Sequence, residues 1–290
     1  MNKILYKGKE LFSPKSDLVF KALFGKEDSK ELLRCFLNSV LDLDIQKAED
    51  ITLTDTEMVA QTPDGKLSRL DVCAHVKNAH TSEHIDIEIQ LSDQGDMMKR
   101  SVYYVAKLFS CQLEEGGSYT TLDRAIGLSI LDFSIFDDDA WIHRGRLKDT
   151  VSGEEFSDCF EINFVEMPKL PTNTEPHNEK ELWLMFLNAK NQEEIEMLIE
   201  KNTQIATAID KLGIISNDEK FKHALIVREK SIRDYQNSML NAEQRGLQCG
   251  LQRGEYNKAC ETAKKALKKN MDIALIADIT GLSEEDIKAL

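Results

Sequence analysis

Residues 70–91 read LDVCAHVKNAHTSEHIDIEIQL, and the alternation within this stretch decides how the chain folds. Leu70, Val72, Ala74 and Val76 share one face of its first half, and Ile85, Ile87, Ile89 and Leu91 share one face of its second. Successive side chains of a strand point to opposite sides, so both halves are expected as half-buried strands. The other face carries Asp71, Cys73 and His75 from the first, with His84, Asp86, Glu88 and Gln90 from the second. The short polar link at residues 77–83 predicts an antiparallel hairpin. Only registers that put both apolar faces on the core side are allowed. The two nearest set Asp71 opposite Glu88 or opposite Gln90, and in either one two carboxylates and an amide oxygen converge.

Two carboxylates about 4 Å apart repel by roughly 4 kcal/mol at an effective dielectric near 20. Protonation, a cation or water relieves that repulsion. Hard divalent cations take oxygen ligands, commonly one or two carboxylates plus waters, so the ligand chemistry suits Mg²⁺, Mn²⁺ or Ca²⁺. The plain alternative is a solvated acidic face of a hairpin. His75 and His84 share this polar face and are read as surface residues at the hairpin end rather than as transition-metal ligands.

The flanking sequence places the hairpin in a larger unit. Ser16-Asp17 precedes Leu18, Phe20, Leu23 and Phe24 with Gly25 as a stop, predicting a short capped helix. Leu32, Leu33, Phe36, Leu37 and Val40 recur at helical spacing over residues 29–41. Residues 51–60 read as a strand and Pro63-Asp64-Gly65 as a turn. Residues 96–113 read as a helix with Met98, Val102, Val105 and Phe109 on one stripe and Arg100, Tyr104 and Lys107 on another. The continuous apolar run of residues 125–133 is expected as a buried strand. A mixed sheet flanked by helices satisfies the order helix, three strands, helix, strand, which makes the fold class α/β. Farther on, residues 141–148 read as a polar loop and residues 160–167 as a strand. Residues 170–173 mark a boundary. Residues 179–230 read as helices broken near Asn191 and Gly213.

The tail beyond Ser231 has its own character. Gly246, Gly250 and Gly254 recur every four residues, each destabilising a helix by about 1 kcal/mol relative to alanine. Either a close helix–helix contact, between two copies of the chain for example, or a flexible connector accounts for them. The last twenty residues read as two short helices joined at Thr280-Gly281-Leu282, with Ser283 capping the second. This turn is like that of a helix-turn-helix, but Glu284, Glu285 and Asp286 would repel phosphate, so structural or oligomer packing is favoured over DNA reading.

The whole chain has 290 residues and a net charge of −14, which argues against tight non-specific duplex binding while leaving room for a local basic stripe. No apolar run approaches the roughly 18 residues needed to cross a bilayer, and residues 1–10 lack the apolar core of a signal peptide, so no membrane association is expected. Six cysteines without close pairing fit a reducing cytoplasm, and no Cys/His set has ligand spacing, so no zinc site is expected.

These pieces resemble the PD-(D/E)XK nuclease core, and within that superfamily the recombination-promoting nuclease and transposase group. The resemblance rests on Ser16-Asp17-Leu18-Val19-Phe20-Lys21 running into Leu23-Phe24-Gly25, on Phe36-Leu37-Asn38, Leu70-Asp71-Val72 and Glu88-Ile89-Gln90. Arg100 with Tyr103-Tyr104, Leu131-Asp132-Phe133 and the glycine-rich tail with Thr280-Gly281-Leu282-Ser283 complete it. It covers most of residues 13–133 and the last fifty or so. It implies a restriction-endonuclease-like core, which the chain's own breaks place over residues 1–170, ahead of a helical subdomain (171–230) that the resemblance matches poorly and a helical tail (231–290). It also implies metal-dependent cleavage of DNA, linked to recombination, mobile elements or defence.

The resemblance assigns Asp71 and Glu88 as metal ligands, with the backbone carbonyl of Ile89 as a third, and Gln90 as the last residue of the catalytic triplet. The superfamily usually has lysine at that last position, whereas this group has glutamine. An amide supplies no positive charge, so Lys21, Arg100 or Lys107 would have to cover that role. Asp17 is either an auxiliary acid or a helix N-cap. Arg100, Tyr104 and Lys107 are either contacts to the DNA backbone or a solvated helix face. The competing class is a catalytically weak, nuclease-like interaction protein acting through its helical tail. A strand-transferring transposase is disfavoured, since no three-carboxylate arrangement is evident.

Overall fold

The computed structural model describes residues 3–54, 57–58, 68–69, 71–78, 81–171 and 175–290. The expected turn at Pro63-Asp64-Gly65, the apolar position Leu70 and residues 172–173 of the expected boundary lie outside the described residues.

A hairpin of β1 (Lys3–Tyr6) and β2 (Lys9–Phe12) opens the chain, followed by α1 (Asp17–Phe24) and α2 (Lys30–Leu41). Next come β3 (Ile51–Leu53), the short pair β4 (Glu57–Met58) and β5 (Ser68–Arg69), then β6 (Val72–Lys77) and β7 (Ser82–Gln90). Helix α3 (Met97–Ser110) leads to β8 (Arg124–Leu131), β9 (Ile142–Lys148) and β10 (Glu155–Glu166). Helices α4 (Glu179–Asn188), α5 (Gln192–Lys201) and α6 (Thr203–Asn217) precede the 49-residue α7 (Glu219–Leu267), and α8 (Ile273–Thr280) and α9 (Glu284–Lys288) end the chain.

Six strands form one mixed sheet in the order β3-β6-β7-β8-β10-β9. β7, β8 and β10 run parallel to one another, and the remaining pairs are antiparallel. A mixed sheet with flanking helices is therefore the architecture, as the order of elements requires. The 51–60 strand is shorter than expected, with β3 ending at Leu53. The 141–148 segment is not a loop but the edge strand β9. Its residues are polar because an edge strand needs only one paired neighbour and tolerates charge. Arg144 and Arg146 lie across from β10, where both meet the buried carboxylate of Glu161.

The hairpin strands are buried on both faces rather than half-buried. Val72, Ala74, Val76, Ile85, Ile87 and Ile89 are buried as expected, whereas Leu91 is exposed. The opposite face is roofed by α3, where Tyr104, Val105 and Leu108 pack on Cys73 and Ala125. This splits the expected apolar stripe of α3: Met98 and Val102 are 46% and 55% exposed, whereas Val105 is buried and Phe109 packs beside it, and Met97, Ser101, Tyr104 and Leu108 also face the sheet. The periodicity of this helix does not fix its inward face, which the sheet beneath it sets. α3 sits very close to β8, since a Cβ on Gly127 would meet Val105 Cγ2 at 2.6 Å.

Contacts divide the chain at residue 223. In the unit of residues 1–223, α1, α2 and α4 meet in an aromatic cluster. Phe24 packs at a tilt against Phe20 and Phe36 with centroids 4.7 and 5.0 Å apart, and Trp183 packs edge-on to Phe36 at 5.9 Å. Such pairs add about 0.5–1.5 kcal/mol each beyond burial. α6 packs on α1, α2 and β2. Gly213 lies within α6, so the helix break falls at Asp218, where the Asp218 carboxylate accepts the N–H groups of Lys220 and Phe221 and starts α7.

In the unit of residues 224–290, α8 and α9 fold on the end of α7 around Ala263, Ile276, Leu282 and Ile287. Gly281 adopts φ +70° and its N–H caps Ala277, a left-handed helix end that glycine adopts without strain. Ser283 accepts the N–H of Asp286 as the expected N-cap. Among the described residues no helix is long and apolar enough to cross a membrane.

Candidate active site

The hairpin register selects one of the two sequence alternatives. Val72 pairs with Ile87, Cys73 with Asp86, Ala74 with Ile85 and His75 with His84. One more step along this ladder sets Asp71 across from Glu88, not Gln90. Regular pairing stops at Val72, and the Asp71 side chain takes over: its Oδ2 accepts the N–H of Ile89 at 2.8 Å. The N–H and C=O of one strand residue project to the same edge, so the Ile89 carbonyl also points to the side on which Asp71 lies.

At the hairpin end the Asn78 N–H donates to Thr81 O, which makes the even residues of β6 the hydrogen-bonded partners. Cys73–Asp86 and His75–His84 are then non-hydrogen-bonded pairs, whose side chains stand closest in an antiparallel ladder. The face beneath α3 is therefore a series of three polar rungs: Asp71 with Glu88, Cys73 with Asp86, and His75 with His84.

Glu88 is only 9% exposed. Burial pushes its carboxyl up to about 7, the charges of Asp71 and Asp96 push the same way, and Arg100 opposes them. Arg100 reaches down from the first turn of α3. Its Nη2 lies 3.3 Å from Glu88 Oε1 and donates to Gln90 Oε1 at 2.9 Å. Gln90 Nε2 donates to Ser92 O, which fixes the amide orientation. Arg100 thus stands where its charge serves the triplet, and its side chain is largely withdrawn from solvent.

The remaining expected residues are distributed as follows. Asp17 sits half-buried in the first turn of α1, where its Oδ1 accepts the N–H of Leu18 at 2.8 Å. Ser16, not Asp17, occupies the N-cap position. α1 packs against β7, and the ammonium of Lys21, one turn on, is near enough to act on the Cys73 thiol. Lys107 is half-buried on α3. Tyr104, at 8% exposure, belongs to the core beneath that helix and is not presented to solvent.

Asp86 lies on the same polar face of the alternation and is not among the expected site residues. It is 4% exposed, and its Oδ1 has no hydrogen-bond partner. Burial raises its pKa well above the usual carboxylate range, and Glu88 and Asp71 add to the rise. The signal that could have found it is its position two residues before Glu88 on the same face. At the other side of Gln90, the N–H of Asp132 donates to Gln90 O, and Lys15 Nζ binds Asp132 Oδ1 at 2.8 Å. This pair anchors the C-terminal end of β8 beside the triplet.

The donor set of two carboxylates, an amide oxygen and a strand carbonyl is the one a hard divalent cation takes. A buried carboxylate oxygen without a partner beside them is consistent with that reading. The residues present fit such an ion.

Comparison with curated proteins and with solved structures returned no match to this chain. Residues 14–242, more than three quarters of the chain, match the family model described as PD-(D/E)XK nuclease family transposase. That span contains the hairpin, the acidic triplet and the six-stranded sheet, and on this evidence the chain belongs to the PD-(D/E)XK nuclease family transposases.

Proposed function

We propose that the protein is a divalent-metal-dependent endodeoxyribonuclease acting in recombination, on mobile elements or in defence, within the cytoplasm. The observation that carries this reading is the bond from Ile89 N–H to Asp71 Oδ2, which holds the Asp71 carboxylate beside Glu88. Asp71, Glu88 and the Ile89 carbonyl would hold Mg²⁺, Mn²⁺ or Ca²⁺. Such an ion supplies Lewis-acid polarisation of a phosphoryl oxygen and a bound water of lowered pKa.

The chain's own groups do the rest. Glu88 must be ionised to serve; burial holds its carboxyl up in the empty site, and a bound cation would pull it back down. Gln90, oriented by Arg100 and Ser92, positions the attacking water through its amide. Arg100 provides the positive charge that glutamine cannot, opposite the charge that develops on the phosphorane. Asp17 and Lys21 on α1 are auxiliary groups, and Lys107 is the candidate contact to a DNA phosphate on α3.

Plasmid nicking with Mg²⁺ or Mn²⁺ tests this reading. Asp71→Ala and Glu88→Ala are each expected to abolish nicking while Trp183 fluorescence stays that of the folded chain. Retained nicking in both variants would reject the assignment.

The second reading, a nuclease-like interaction protein with little cleavage, draws on one observation: Arg100 already neutralises Glu88 and engages Gln90. Calorimetric titration separates the two. The absence of Mg²⁺ or Mn²⁺ binding at millimolar concentration, together with the absence of nicking, selects the second. In either case we infer self-association through the C-terminal helices. Gly246, Gly250 and Gly254 leave open space on α7, and Leu247 and Leu251 beside them are exposed.

A further inference from the structure

The third rung of the hairpin face is not explained by the carboxylate site. His75 and His84 stand across from each other in a non-hydrogen-bonded pair, with ring centroids 4.1 Å apart and planes only 5° from parallel. Asp123, directly before β8, completes the group. Its Oδ2 lies 3.3 Å from His75 Nε2 and 3.8 Å from His84 Nε2. Strands β6 and β7 and the residue that leads into β8 thereby deliver one side chain each to a single point.

Asp123 is held in place by groups around it. Gln112, just past the end of α3, accepts the Asp123 N–H at 2.7 Å and donates to its carbonyl at 3.1 Å. Ser82 donates its hydroxyl to Asp123 Oδ2 at 2.7 Å, orienting the carboxylate. All three side chains are half-buried, with 21–26% of each exposed, so water has access. Four residues along a strand at about 3.3 Å each separate this rung from Asp71 and Glu88 by about 13 Å. The intervening Cys73 is sealed beneath Tyr104 and Val105, and burial pushes its thiol up, so it stays protonated and outside the group.

We propose that His75, His84 and Asp123 form a second metal site, separate from the carboxylate pair, that takes a divalent transition ion of the zinc class. The potential ligand atoms lie within 4.8 Å of one another. A tetrahedral ion with bonds of about 2.0–2.2 Å needs edges of about 3.4 Å. The edge from His75 to Asp123 already has that length, and the two imidazole planes, now parallel, splay apart on binding so that both nitrogen lone pairs meet the ion. Two neutral imidazoles and a carboxylate match zinc and its neighbours rather than Mg²⁺ or Ca²⁺, which prefer oxygen throughout. The set leaves a fourth position for water. An ion held there ties the ends of β6, β7 and β8 together and offsets the crowding of two imidazoles against one carboxylate.

The test is calorimetric titration of the full chain with Zn²⁺ in millimolar Mg²⁺, which keeps the oxygen-rich site supplied. One ion per chain at micromolar concentration or tighter is expected. The affinity falls at least about 100-fold in His75→Asn and in His84→Asn, since even residues behind a ligand contribute 10–100-fold. It persists in the Asp71→Asn/Glu88→Gln double variant. X-ray absorption of the zinc-loaded natural chain, which needs no variant, is expected to show two imidazole nitrogens at about 2.0–2.1 Å. No one-to-one zinc binding in the natural chain, or binding that survives in His75→Asn/His84→Asn, overturns the proposal.

Discussion

Glu88→Gln separates the electrostatic penalty of the candidate active site from its chemistry. Burial under α3, with repulsion from Asp71 and Asp96, raises the Glu88 carboxyl from 4.5 to about 7, against the pull of Arg100. A carboxyl raised in this way contributes its stability fully below its unfolded value and loses it as pH rises through the folded one. The natural chain therefore weakens between about pH 4.5 and 7, and a glutamine at this position does not. At 1.36 kcal/mol per unit, the full shift amounts to about 3 kcal/mol. Linkage distributes it as about 1 kcal/mol at pH 5 and about 3 kcal/mol at pH 8 in favour of the variant. For a unit of this size the difference at pH 8 corresponds to a rise in Tm of about 6–12 °C.

Urea unfolding followed by tryptophan fluorescence reads this effect, because both tryptophans, Trp141 and Trp183, lie in the unit of residues 1–223. The curves of natural chain and variant are expected to lie close at pH 5 and to separate at pH 8, with Glu88→Gln the more stable and devoid of nicking. Mg²⁺ at pH 8 narrows the gap by binding only the natural folded chain. A difference that is the same at both pH values, or a variant less stable at pH 8, would show that Glu88 titrates near its unfolded value and refute the reasoning.

Arg100→Gln removes the group that holds the Glu88 pKa down, so the rising limb of a nicking pH profile is expected to move to higher pH, with about fivefold less ionised Glu88 at pH 7 for the first unit of movement. An unmoved profile would remove Arg100 from the site. Gly127→Ala forces a Cβ to within 2.6 Å of Val105 Cγ2 and is expected to destabilise the unit by about 1–3 kcal/mol in urea unfolding, with rescue by Val105→Ala. No rescue would mean that α3 does not ride on β8 at this point. Deleting residues 231–290 is expected to lower the mass measured by light scattering in solution, and an unchanged subunit count would remove the tail as the means of association.

The alternation in residues 70–91 was enough, by itself, to specify two paired strands and the grouping of Asp71, Glu88 and Gln90 on one face, because side-chain direction in a strand depends only on parity. The helices of residues 17–41, the buried β8 and the capped turn at Thr280–Ser283 were likewise local, set by spacing and capping chemistry. Other features depend on what lies across from a residue. The edge strand β9 is polar in composition and becomes a strand only through its ladder to β10. The buried face of α3 cuts across the two stripes that its periodicity suggests, and its seat on β8, with Val105 against Gly127, places Arg100 over Glu88 and Tyr104 in the core. The choice between two hairpin registers, the raised pKa of Glu88 and the meeting of His75 and His84 with Asp123 all arise from neighbours distant along the chain. Periodicity tells which way a side chain points, whereas burial, charge and ligand geometry depend on what meets it there, and that is settled only when the sheet and its covering helix assemble.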